Sequence, residues 1–176
     1  MKNKTILVTG GAGYIGSHVV RQLGLANESV ITLDNLTTGF EAAVTAGELV
    51  IGDTGDAALL EDIFTSNDID TVMHFAAHTI VPDSVADPLK YYRNNTASSR
   101  TLLEAAANNG VENIVFSSTA AVYGIPAGGK ASEESPTQPI NPYGTSKHRT
   151  EWMPVAETQR TQTTITAGGR ARGGGG

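Results

Sequence analysis

Short apolar runs separated by amphipathic stretches set the rhythm of this chain. Runs at 5–8, 30–33, 49–51, 71–75 and 113–117 are rich in Val, Ile or Leu and lack strict alternation. That is the pattern of strands covered by helices on both faces. Between them, 15–25, 57–66 and 88–109 carry helical periodicity, and the alternation predicts βαβ units around a parallel sheet. The third helical stretch has the clearest boundaries. Asp87 can cap it, Pro88 suits its first turn, and Leu89, Tyr92, Thr96, Leu103 and Ala107 form one stripe. Gly110 then supplies a left-handed stop.

From 125 to 142 the chain changes character, with prolines, paired glycines and few large apolar residues. This reads as a long surface loop, and loops of that length in compact domains are often functional. Helical character returns at Tyr143 and continues through Trp152 and Met153, where Pro154 is expected to kink or end the helix. Residues 163–167 suit a sixth strand. The Gly/Arg-rich segment 168–176 lacks the apolar residues to bury a core and is expected to be disordered. Residues 1–167 thus read as one domain, and no internal repeat is present.

Composition narrows the functional classes. At 176 residues the chain suits one domain, and 12 basic against 18 acidic residues give a formal charge of −6, which argues against nucleic acid as a partner. The two arginines of the glycine-rich tail do not change that balance. With no cysteine, disulfides, thiolate metal sites and cysteine nucleophiles are excluded. Met1-Lys2-Asn3-Lys4 leads into only four apolar-type residues before Gly10, too few for a signal core or membrane span. A soluble cytoplasmic protein without a membrane partner is the expectation.

Two motifs carry the chemistry. Thr9-Gly10-Gly11-Ala12-Gly13-Tyr14-Ile15-Gly16 contains Gly-x-Gly-x-x-Gly, between a predicted strand and a predicted helix. Glycines there permit a tight turn and bring backbone N–H groups to a pyrophosphate at the helix N-terminus. Asp34, 18 residues past Gly16, stands close to the roughly 20-residue offset of an acid that binds ribose hydroxyls, and it favours NAD over NADP. Its alternative role is a turn or helix cap. Asp53, ending the third strand, could accept from an adenine amino group or cap the helix near Ala57. Phe75-Ala76-Ala77 offers small side chains beside a cofactor, or ordinary packing.

The second motif is Tyr143-Gly144-Thr145-Ser146-Lys147. Tyrosine and lysine four residues apart share a helix face, and the nearby ammonium favours the phenolate, which suits Tyr143 to act as a base. Ser117-Ser118-Thr119 ends the fifth strand, where a hydroxyl could orient the proton being removed or simply satisfy a turn. His74 and His78 have metal-like spacing, but a strand and its loop would not put both on one face, and no metal site is expected.

Assembled, these features resemble the extended short-chain dehydrogenase/reductases, specifically the NAD-dependent epimerases of UDP-sugars. The likeness rests on the glycine turn with Ser17-His18, on Asp34-Asn35-Leu36, on His74-Phe75-Ala76-Ala77 and on Pro88-Leu89-Lys90-Tyr91-Tyr92-Arg93-Asn94-Asn95. It continues through Phe116-Ser117-Ser118-Thr119-Ala120-Ala121-Val122-Tyr123-Gly124 and Asn141-Pro142-Tyr143-Gly144-Thr145-Ser146-Lys147, covering the chain from Thr5 to about Met153. It implies a Rossmann-type doubly wound parallel sheet that binds NAD through Gly10, Gly13, Tyr14, Ile15, Gly16, Asp34, Asn35, Leu36, Thr37, Thr38 and Gly39. Asp53, Thr54, Phe75, Ala76, Ala77, His78, Thr79, Asn94, Thr119, Tyr143 and Lys147 complete that set. Thr79 stands where some relatives carry a cofactor-binding lysine.

The implied activity is interconversion of UDP-glucose and UDP-galactose, with Tyr143, Lys147 and Thr119 as catalytic residues. Dehydratases of the same superfamily place an acid and a base where this chain has Ala120 and Ala121, which favours epimerisation. Relatives continue into a second domain that grips the UDP-sugar. The abrupt change after about Met153 predicts a truncation or altered reading frame, with that domain missing, and its alternative consequence is an inactive NAD-binding fragment. A homodimer through the helix at 88–109 and the helix from Tyr143 is also implied.

Overall fold

The computed structural model describes residues 4–161, 164–167 and 170–171, with side chains as far as Met153 except at Ala127. Five strands appear where the apolar runs predicted them: β1 (Thr5–Thr9), β2 (Ser29–Asp34), β3 (Glu48–Ile51), β4 (Ile69–His74) and β5 (Asn113–Phe116). Helices α1 (Tyr14–Leu25) and α2 (Ala57–Ser66) also fall where expected. A sixth strand, β6 (Thr164–Ala167), adds parallel to β5, and a two-residue strand, β7 (Arg170–Ala171), pairs antiparallel with β6. The rest of the predicted glycine-rich tail, with the start of the predicted sixth strand at Thr163, lies outside the described residues.

Strand order is β3-β2-β1-β4-β5-β6-β7, parallel from β3 to β6. Progression outward from β1 runs first to one side and then to the other, so the carboxyl ends of β1 and β4 flank a switch point. Successive residues of β1 face opposite sides of the sheet. Leu7 packs in a core with Leu33, Leu60, Val72, Leu102 and Ile114, while Val8 packs with Val20 of α1 and Val30. Both are fully buried, each removal from water being worth about 1.5–3 kcal/mol.

The long helical stretch begins and ends as predicted, but its buried face differs. Asp87 caps it through Lys90 N–H at 3.1 Å, Pro88 opens it, and Gly110 leaves it at φ 72°. Inside, α4 (Pro88–Tyr91) passes through a π-helical turn at Tyr92–Ala97 into α5 (Ser98–Asn108). The wider turn rotates the residues before it relative to those after it. Tyr91, Asn95, Ser99, Leu102 and Ala106 therefore face inward, whereas Leu89 of the expected stripe is 70% exposed. Before it lies α3 (Val81–Ala86), a short helix with no sequence forecast.

The segment 125–141 forms no α-helix or strand, only a short 3-10 turn at Ala127–Gly129. It leads into α6 (Pro142–Thr161), which Asn141 caps by accepting from Gly144 N–H at 2.8 Å, with Pro142 at the first helical position. Contrary to expectation, α6 does not end at Pro154. A proline removes one rung of the helix, at a cost of about 3 kcal/mol. Along its first part α6 packs against α5 and the π turn.

Candidate active site

The glycine turn packs without spare space. A Cβ on Gly10, at φ 71°, would lie 2.5 Å from Ala76 N, and one on Gly16 would lie 2.2 Å from Gly10 O. The turn is thereby pressed against the loop after β4 and beneath the start of α1. Gly13 is the N-cap of α1 and supplies no side-chain cap. Tyr14, Ile15 and Gly16 border a cavity of about 450 Å³, so the positive end of the helix dipole faces that space. Tyr14 is 84% exposed on its rim.

Asp34 ends β2 and is almost fully buried. Its Oδ2 accepts from Ala12 N–H and its Oδ1 from Leu36 N–H, both at 2.9 Å. It therefore braces the glycine turn and its own loop while still bordering the cavity. Each carboxylate oxygen retains a second lone pair. Leu36 takes the left-handed conformation at φ 57°, held by that bond. Asp53 is not the cap of α2, because Asp56 fills that role by accepting from Ala58 and Leu59 N–H. Asp53 instead accepts from Asn35 Nδ2 at 2.9 Å and Gly55 N–H at 2.8 Å, which fixes the cavity's second wall.

At the other end, Gly144 lets α6 approach the turn at Ala120–Tyr123, since a Cβ there would lie 2.7 Å from Ala121 O. That contact brings Tyr143 and Lys147 to the mouth of β5. Both are buried, and the Tyr143 ring meets Tyr91 edge-on with centroids 6.4 Å apart. Lys147 Nζ lies 4.5 Å from the Phe116 ring centroid, a favourable cation–π arrangement. Burial pushes its pKa down to about 8, opposed by Glu151. The ammonium thus remains charged at neutral pH.

All but three of the residues named from the sequence border this one cavity. Leu36 and Gly39 stand behind it, Gly39 packing on Ala12, and Thr119 caps the Ala120–Tyr123 turn by accepting from Ala121 N–H at 3.2 Å. Ser117 and Ser118, read from the sequence with Thr119 as a source of a positioning hydroxyl, do border it. His74 is a buried joint rather than a free ligand. Its Nδ1 bonds Thr9 Oγ1 and its Nε2 bonds Ser99 Oγ, both at 2.6 Å. Burial, aided by Lys147, lowers its pKa to about 3.

Asn95 is the main residue that sequence reasoning missed. Turned inward by the π turn, its side chain accepts from His78 N–H, donates to His78 O and donates to Ser146 Oγ. It fastens the loop after β4 to the Tyr143–Lys147 helix. A buried asparagine at the centre of a helical pattern was the available signal.

A doubly wound sheet with a glycine turn at its switch point and a buried Tyr/Lys pair across the same cavity defines a Rossmann-type dinucleotide-binding domain. The chain belongs to the NAD dependent epimerase/dehydratase family, whose model matches residues 6–169. It is 53% identical over 149 residues to UDP-glucose 4-epimerase of Azospirillum brasilense, an alignment covering 84% of this chain and 43% of that one. Its identity to the Lacticaseibacillus casei UDP-glucose 4-epimerase is 50% over 157 residues, covering 86% and 47%. The crystal structure of UDP-glucose 4-epimerase from Brucella ovis in complex with NAD superposes with a TM-score of 0.90 at 38% identity, over 93% of this chain and 50% of that one. The chain therefore spans about half the length of these relatives.

Proposed function

We propose that this chain binds NAD in the cavity and serves the interconversion of UDP-glucose and UDP-galactose, an isomerase reaction of galactose metabolism in the cytoplasm. The observation that carries the reading is the meeting, in one cavity, of the open N-terminus of α1 and the buried Tyr143–Lys147 pair. The residues fit the cofactor. Gly10 and Gly16 leave no room for a Cβ, α1 presents uncapped N–H groups, and Asp34 keeps lone pairs for ribose hydroxyls while repelling a 2′-phosphate. NAD, when bound, supplies the hydride acceptor and donor for carbon 4 of the sugar.

The remaining roles fall to the chain. Tyr143 takes the proton of the sugar 4-hydroxyl and returns it after the keto sugar has turned over. Lys147, charged yet desolvated, stands one helical turn from Tyr143 and holds the nicotinamide ribose. Thr119, whose Oγ1 accepts from Ala121 N–H, sits behind Ser117 and Ser118, and its hydroxyl is assigned to the sugar by the family likeness. Asp53, Thr54 and the residues from Asn35 to Gly39 frame the adenosine, and Phe75 to Thr79 with Asn94 frame the middle of the cofactor. A homodimer would form on the groove between the π turn, α5 and α6, lined by Tyr92, Arg100, Arg149 and Met153. Among the described residues no helix is long and apolar enough to cross a membrane.

Titrating the purified chain with NAD and assaying UDP-galactose for conversion to UDP-glucose tests this reading. Saturable NAD binding with conversion supports it. Binding without conversion selects a cofactor-binding role alone. Failure to bind NAD overturns both.

A further inference from the structure

We propose that Glu151 is a positioning residue of the catalytic end, its carboxylate anchoring the Ser118 hydroxyl at the cavity wall and standing as counter-charge to the buried Lys147 ammonium. The proposal rests on the roles given above to Tyr143 and Lys147. Ser118 borders the cavity beside both residues, and its hydroxyl donates to Glu151 Oε1. That bond ties the segment after β5 to α6. Glu151 follows Lys147 by one helical turn, so both side chains lie on the same face of the helix.

The surroundings of Lys147 make this carboxylate matter. Phe116 faces it from β5, His74 from β4, and Tyr143 and Glu151 from its own helix. Phe116 carries no charge, and His74 is held neutral by burial with both ring nitrogens hydrogen-bonded. Among these neighbours Glu151 is the anion. A buried ammonium without a counter-charge loses its proton rather than bear the desolvation cost. Glu151 thus supports the charge that Lys147 presents to Tyr143, while Ser118 keeps the carboxylate from turning toward water.

Were Glu151 merely an acceptor for Ser118, glutamine would serve equally and Lys147 would not notice. The two roles separate by following the Lys147 Nζ resonance against pH in ¹⁵N-labelled whole chain. The titration midpoint should lie near 8 in the unmutated protein, move down in Glu151→Gln and return toward the original value in Glu151→Asp. An unchanged midpoint in folded Glu151→Gln overturns the proposal. The unmutated chain gives an independent reading should that variant fail to fold. The ¹³Cδ resonance of Glu151 should shift as Lys147 titrates, and a flat response across that range is equally fatal. NAD binding measured on the same samples separates the two levels. Loss of NAD binding by the unmutated chain refutes the proposed function, whereas normal binding with an unmoved Lys147 refutes the role of Glu151 alone.

Discussion

The two ends of the cavity are built by different means. At the glycine-turn end, the geometry is local and mostly main chain: Gly10, Gly13 and Gly16 shape the turn, and Asp34 fastens it through Ala12 and Leu36 N–H. At the Tyr143–Lys147 end, the geometry is assembled from segments distant in sequence. Phe116, Ser118, Asn95 and Glu151 each hold part of α6 or its surroundings in place. His74 joins the two ends, bonded to Thr9 of the turn's strand and to Ser99 of α5. A site recognising a common cofactor can be encoded in a short motif, whereas one that moves a proton needs burial supplied by the whole fold.

The largest expected effect breaks the catalytic end and spares the other. In a version joined after Met153 to the remaining half of a relative, Tyr143→Phe should lower UDP-galactose turnover by about 10²–10⁴. NAD binding should be unchanged, since the ring still packs against Tyr91. Steady-state assays and NAD titration check both halves of that statement.

The joint between the ends should respond to acid. His74 has a folded pKa of about 3 against an ordinary 6.5, so the unfolded chain binds more protons throughout that window and stability falls as pH drops through it. Each unit below 6.5 costs about 1.4 kcal/mol. Urea unfolding at pH 7 and pH 5 measures the loss, and His74→Gln should flatten that dependence at the expense of stability at pH 7.

On the turn side, Gly16→Ala should destabilise the chain by roughly 1–3 kcal/mol through overpacking and abolish measurable NAD binding, because its Cβ meets Gly10 O. A denaturation curve and a binding titration together check it. Asp34→Ala is milder. It should narrow discrimination against NADP by removing charge repulsion and charged hydrogen bonds, each worth about 1.5–3 kcal/mol, as competitive binding of the two cofactors would show.

Legibility in the sequence followed the same division. The first five strands, the ends of the Pro88–Asn108 segment and the glycine turn were readable because each depends on local spacing, caps or φ preference. The buried face of that segment was not. A π turn needs tertiary contacts to hold it, here the bonds of Asn95 to His78 and Ser146, and no periodicity announces it. Of the kink or end expected at Pro154, the end does not occur, because a local breaker read from sequence takes no account of the rest of the helix. Thr119 was preferred over Ser118 by resemblance, and only the fold shows which hydroxyl borders the cavity and which caps a turn.

The account's central claim is that one NAD molecule spans both ends, and the most direct test is an NMR titration of the ¹⁵N-labelled chain with NAD. The backbone amides of Tyr14, Ile15 and Gly16 and the Nζ of Lys147 should shift together along a single saturation curve. Perturbation of the glycine turn with no change at Lys147 would contradict it.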